Sequence, residues 1–138
     1  MRLFALAVLF TSLTGCLFGG PDTIGTWVGD CSISSFGYEE TFDIELDISS
    51  DEKKELEGWA VFTDHSYGVP FEGVIVGTRK GKDIEMTLDL SEATQYAGMD
   101  FDISMGVEGK VKGNKIDGAC VLTAMGIGTK GDMLLERE

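Results

Sequence analysis

Apolar and polar residues alternate one for one along much of the chain. In 41–48, Phe42, Ile44, Leu46 and Ile48 are separated by Asp43, Glu45 and Asp47. The same rhythm places Ile84, Met86, Leu88 and Leu90 in 83–90, and Phe101, Ile103, Met105 and Val107 in 100–107. Successive side chains of a β-strand point to opposite faces, so each run predicts a strand with one buried and one wet face. Extending the reading gives strands over 26–34, 40–48, 56–63, 69–78, 83–90, 100–112, 115–124 and 129–137. Lys80-Gly81 and Gly113-Asn114 read as two-residue hairpin turns, because glycine supplies the positive φ such turns require. Only 91–98 suggests a helical turn, with Ser91 as its N-cap.

About eight strands joined by short turns, with no long crossover, predict an all-β fold: an antiparallel up-and-down β-barrel, with a β-sandwich as the alternative. Glycines inside strands, including Gly58, Gly73, Gly106 and Gly118, suit a small barrel whose strands bend sharply. At 138 residues with 25% charged and 43% hydrophobic side chains, the chain has the size and composition of one globular domain.

The N-terminus breaks the alternation. Met1-Arg2 is a short basic start, and 3–13 is an apolar run. Its length falls in the roughly 7–15 residues of a signal-peptide core and short of the roughly 20 that span a bilayer. The run ends in Leu13-Thr14-Gly15-Cys16, which resembles the bacterial lipobox. That resemblance implies a signal peptide over 1–15, a diacylglycerol thioether on Cys16, a lipidated tether over 16–24 and a barrel domain over 25–138. It also implies a lipid-anchored protein of the bacterial cell envelope. Leu17 stands where an aspartate would resemble an inner-membrane retention signal, which favours the outer membrane.

With Arg2 removed alongside the signal, 24 acidic residues face 10 basic ones and the mature chain carries −14. Such a charge opposes binding to nucleic acid and to anionic lipid, and suits a basic protein partner. Lipidation of Cys16 leaves Cys31 and Cys120 as two thiols in an oxidising compartment, which predicts a disulfide between them. Alternation turns both toward the core, yet they fall on the first and seventh strands. Either the bond crosses a flattened interior or the strand count is off by one.

Gly25-Thr26-Trp27 opens the first strand and resembles the lipocalins and fatty-acid-binding proteins. In that family the tryptophan closes one end of the barrel and often lies under an arginine from the last strand, a position Arg137 matches. The resemblance implies a small apolar ligand inside the barrel, with Trp27, Phe42, Phe71, Met86, Phe101 and Met105 as candidate lining residues. The alternative is an anchored protein-interaction module without a pocket, for example an inhibitor of a basic enzyme.

Catalytic chemistry finds little support. Asp64-His65-Ser66 are three catalytic residue types side by side, but neighbours in a turn project apart and a triad is assembled by geometry. Asp43, Glu45 and Asp47 share a strand face, which lacks the wrapped loop a calcium ion wants. No enzyme activity, metal or cofactor is expected. Trp59, Val61, Val74 and Val76 are apolar on the face opposite Ala60, Phe62 and Ile75. They form either an outer patch for a partner or a surface covered by 91–99.

Overall fold

A computed structural model describes residues 22–35, 37–90, 103–124 and 126–138. Eight strands run in chain order: β1 (Gly25–Ser35), β2 (Tyr38–Glu52), β3 (Glu55–Asp64), β4 (Pro70–Lys80), β5 (Asp83–Asp89), β6 (Ile103–Lys112), β7 (Lys115–Ala124) and β8 (Ile127–Arg137). Each pairs antiparallel with the next, and β8 pairs back onto β1, giving a closed up-and-down barrel rather than a sandwich. Closure gives each of the eight strands a hydrogen-bonded neighbour on both sides over part of its length, although β1–β8 pairing covers only Trp27–Ser32 with Asp132–Arg137 and β4–β5 pairing only Ile75–Lys80 with Asp83–Leu88.

Alternation fills the interior. Trp27, Leu46, Ala60, Phe62, Ile75, Ile116 and Leu135 are fully buried and belong to one continuous apolar core. Their polar neighbours on each strand face outward.

Two turns differ from their expected places. The alternation ends the second strand at 48, yet β2 continues through the polar run Ser49–Ser50–Asp51–Glu52. A bulge between Ile48 and Ser50 takes up the break in alternation, and the turn falls at Lys53-Lys54, which both adopt positive φ, 53° and 67°. The β4–β5 turn is Gly81-Lys82, one residue later than the sequence suggests, because Lys80 pairs with Asp83. The Gly113-Asn114 turn lies where expected, between the Lys112–Lys115 pair. The suggested helical turn at 91–98 lies outside the described residues, as does the start expected for the sixth strand at 100–102.

Cys31 and Cys120 form a disulfide with a Cα–Cα distance of 6.1 Å, although β8 lies between β1 and β7. Pairing of β1 with β8 stops at Ser32 and Asp132. Beyond it Gly131 pairs with Cys120 alone, and a Cβ on Gly131 would collide with the Ser32 carbonyl. The wall folds sharply there, and the bond passes inside it beneath a residue with no side chain. The strand count is therefore correct and the bond crosses the interior. A bridge across a sequence separation of 89 removes loop-closure entropy from the unfolded chain. Replacing both cysteines by serine is expected to lower unfolding free energy by about 4 kcal/mol in denaturant titrations. Thiol titration of the denatured, unreduced protein should detect neither cysteine.

Candidate binding surfaces

The barrel is closed at the end where β1 begins. Trp27 is fully buried there, and its register partner across the β1–β8 seam is Arg137. The Arg137 guanidinium lies 4.2 Å above the centre of the indole ring. It also donates to the carbonyls of Ile24 and Asp22, each at 2.6 Å. The indole Nε1 donates to the Thr23 carbonyl at 2.9 Å. Thr23 is itself buried, and its hydroxyl donates to Asp51 at 2.6 Å. Asp51 receives Arg79 Nε at 2.8 Å, in a pair whose side chains are only 13% and 10% exposed. Residues 22–24 are thus strapped across the closed end by two arginines and a buried hydroxyl. The expected stacking of an arginine on Trp27 is present.

Arg137 both stacks on the ring and satisfies two carbonyls, so Arg137→Met removes a cation–π contact and two charge-assisted hydrogen bonds. A loss of about 3 kcal/mol is expected in chemical denaturation, with far-ultraviolet circular dichroism unchanged.

Of the candidate ligand-lining residues, Trp27, Phe42, Met86 and Met105 lie in the core, each no more than 6% exposed. They are brought together, but as mutual packing partners. Phe71 is half-buried and packs against the core with Ile103 and Leu122. These three belong to the opposite, mouth end, where β4 and β6 begin and β7 ends. Phe101 lies outside the described residues, as does Cys16. An eight-stranded barrel encloses a space just wide enough for side chains or one small ligand, and here side chains occupy it.

The outer wall of β1–β4 presents a different surface. Trp59 pairs with Val74, and the row beside them runs Val28, Glu45, Val61, Glu72. Trp59, Val74 and Val76 are 48%, 54% and 51% exposed, which is unusual for adjoining large apolar side chains on one wall. Asp47, Glu45, Glu57 and Glu72 surround them, all exposed. Between Gly25 and Thr78 the only basic side chains apart from His65 are Lys53 and Lys54, in the turn. The wall of β6–β8 is laced instead by opposite charges, with Lys130 on Glu108, Lys112 on Asp117 and Lys115 near Glu136. The segment 91–99, the alternative cover for the apolar wall, lies outside the described residues. A shallow depression of about 620 Å³ between β4, β5, β6 and β7 is rimmed by Lys80, Asp83, Glu85 and Lys110.

Asp64, His65 and Ser66 do not converge. His65 Nε2 meets Asp43 at 2.8 Å, the Ser66 hydroxyl donates to Glu40 at 3.0 Å, and Asp64 accepts the Ser66 backbone N–H at 2.6 Å. The trio fastens the β3–β4 turn to β2, aided by the His65 N–H on the Thr41 carbonyl. A hydrogen bond with Glu40, then those from the Ser66 and Tyr67 backbone, hold the Asp64 carboxyl below its usual range. Among the described residues no cluster of His, Cys, Asp and Glu is arranged to hold a metal.

The hydrogen bond to Asp43 raises the His65 pKa, and the charges of Asp43, Asp30 and Glu40 add to the shift. A raised folded pKa means the protonated pair stabilises the fold fully below about pH 6.5 and that this contribution disappears as pH rises through the folded value. Melting curves across that window should show the wild type losing its advantage over His65→Gln as pH rises. Equal slopes for the two proteins would refute the pairing.

No protein-family profile matches the chain, and no curated protein is significantly similar to it in sequence.

Proposed function

We propose that this protein is a non-catalytic binding module, held in the bacterial cell envelope by lipid on Cys16, that engages a basic protein on the outer wall of β1–β4. The observation that carries the reading is the exposed Trp59–Val74–Val76 patch inside a ring of carboxylates. A large aromatic flanked by aliphatics gives a partner area to bury. The surrounding carboxylates steer a cationic partner toward it and reject an anionic one. The lipocalin-like features, a closed eight-stranded barrel with Arg137 over Trp27, supply the rigid frame. Leu17 after the lipidation site favours the outer membrane.

A second reading keeps the lipocalin-like role of holding a small apolar ligand. It is favoured by the half-buried Phe71, Ile103 and Leu122 at the mouth, where a ligand can seat without displacing the packed core.

A lysine–leucine amphipathic peptide lacking tryptophan separates the two, with Trp59 fluorescence as the signal. Saturable binding is expected, weakening at high salt and falling about tenfold in Val74→Asp and in the Glu45→Lys/Glu72→Lys variant. Binding of polylysine with equal strength, or no effect of Val74→Asp, would remove the apolar patch from the account. Saturable binding of a fatty acid that is abolished by Phe71→Asp and indifferent to Val74→Asp would favour the second reading.

A further inference from the structure

The acidic chain has its basic residues at one end. Apart from Arg2 and Lys130, every lysine and arginine lies in or beside the β2–β3, β4–β5 and β6–β7 turns, or at Arg137. In an up-and-down barrel these three turns share an end, and both the start of β1 and the finish of β8 meet there. Their tips are Lys53-Lys54, Lys80-Gly81-Lys82 and Lys112-Gly113-Asn114-Lys115, with no carboxylate among them. Exposed carboxylates share this end at Asp22, Glu52, Glu55, Asp83, Asp117, Glu136 and Glu138, and of the tip lysines Lys112 lies 3.7 Å from Asp117 and Lys115 3.8 Å from Glu136, in exposed pairs that solvent screens. The sequences that connect β3 to β4, β5 to β6 and β7 to β8, residues 64–70, 90–103 and 124–127, contain no lysine or arginine.

The Lys53-Lys54 turn adds a second observation. Both residues hold left-handed backbone conformations, φ 53° and 67°, where asparagine and glycine are the unstrained choices. Two lysines therefore occupy the tip against local preference. Sequence-local folding does not account for that placement.

The closed end is also where the chain enters from Cys16. Arg137 and Thr23 fix residues 22–24 across it. Asp22 lies six positions after Cys16, a reach of at most roughly 20 Å. An acyl chain in the bilayer at Cys16 consequently holds the lysine tips, rather than the mouth, near the headgroups.

The geometry points to a membrane-docking face: the six tip lysines, Lys53, Lys54, Lys80, Lys82, Lys112 and Lys115, rest on the net-negative headgroups of anionic lipids in the leaflet in which Cys16 is anchored. The net charge of the chain opposes such contact, but at physiological ionic strength charge is felt over only about 8 Å. The tips therefore meet the headgroups while most of the carboxylates stay beyond range. The barrel then stands on its closed end, with the Trp59 wall and the mouth facing the aqueous compartment. This inference rests on the lipid anchor of the proposed function and not on the partner assigned to the wall.

The test uses the full lipidated protein on phosphatidylcholine vesicles and on the same vesicles carrying phosphatidylglycerol. Lysines are acetylated under limiting reagent and each rate is read by mass spectrometry, with the acylation state of Cys16 read from the same digests. On the anionic vesicles the six tip lysines should react about threefold or more slowly than on the neutral ones, with Lys130 unchanged and high salt restoring the rates. Equal rates on the two vesicle types, or equal slowing at Lys130, overturn the docking face while leaving the anchor intact. Failure of the protein to float with either vesicle, with an unmodified Cys16, overturns the anchor and this orientation together.

Discussion

The structure depends on the seam between β1 and β8. Seven consecutive hairpin pairings make only a curled sheet; the β1–β8 ladder makes it a barrel. That ladder is short, running from Trp27–Arg137 to Ser32–Asp132, and it is fastened at both ends. At the closed end Arg137 covers the indole of its register partner and holds the entering chain. At the other end Cys31 reaches past β8 to Cys120 on β7. The seam joins residues 100 to 110 positions apart in sequence, so its closure carries the largest loop-entropy penalty of any pairing in the fold. A covalent bond at one end and a stacked, doubly hydrogen-bonded arginine at the other offset that penalty where it is greatest.

The strands were legible in the sequence because one physical rule, burial of alternate side chains, governs nearly every residue in them. Their number, order and antiparallel sense follow from it together with the short turns. Where a second force intervenes the rule gives out. Ser49 and Ser50 offer no apolar side chain to continue the rhythm, so the bulge that carries β2 to Glu52 leaves no trace in the pattern. Gly81 marks its turn but not which side of the turn it occupies. The route of the disulfide was illegible for a different reason. It depends on how sharply the wall folds at Gly131, and that is set by the collision a side chain there would make with the backbone of β1. The candidate lining residues were legible as apolar and inward. Whether inward side chains leave a space is a property of summed volumes around the ring, which no strand reports alone.

That packing moves attention from the inside of the barrel to its outside. Trp27 and Phe62 are fully buried, and Met86 and Met105 are within 2% of it, which is the condition of a close-packed interior in which each side chain has its partners. The outer wall has a freedom the interior lacks, because residues there are not needed for the fold. Its two halves have used that freedom differently. On β6–β8 lysines and carboxylates answer one another across neighbouring strands, a surface at rest in water. On β1–β4 carboxylates surround apolar side chains and have few cations to answer them. Such a surface is easily solvated by virtue of its charge while keeping an apolar centre available, which is the combination a soluble recognition face requires.

Net charge is a sum, and the sum conceals how charge is divided between the two ends of the barrel. A count of −13 describes the field far from the protein, which governs solubility and long-range encounter. Contact with a surface is decided within about one Debye length, where only the residues at the approaching end are felt. Alternate turns of an up-and-down barrel lie at opposite ends, so lysines scattered along the sequence at 53–54, 80–82 and 112–115 become a single group, and the lysine-free turns between them become another. If Cys16 carries the proposed lipid, a tether of a few residues would keep the domain at a high effective concentration over the surface, and contacts too weak to recruit a free protein would suffice to choose which end faces down. In the proposed orientation most carboxylates of the walls would lie beyond about one Debye length of the headgroups, so the acidic composition of the whole chain would oppose contact at the lysine end only weakly.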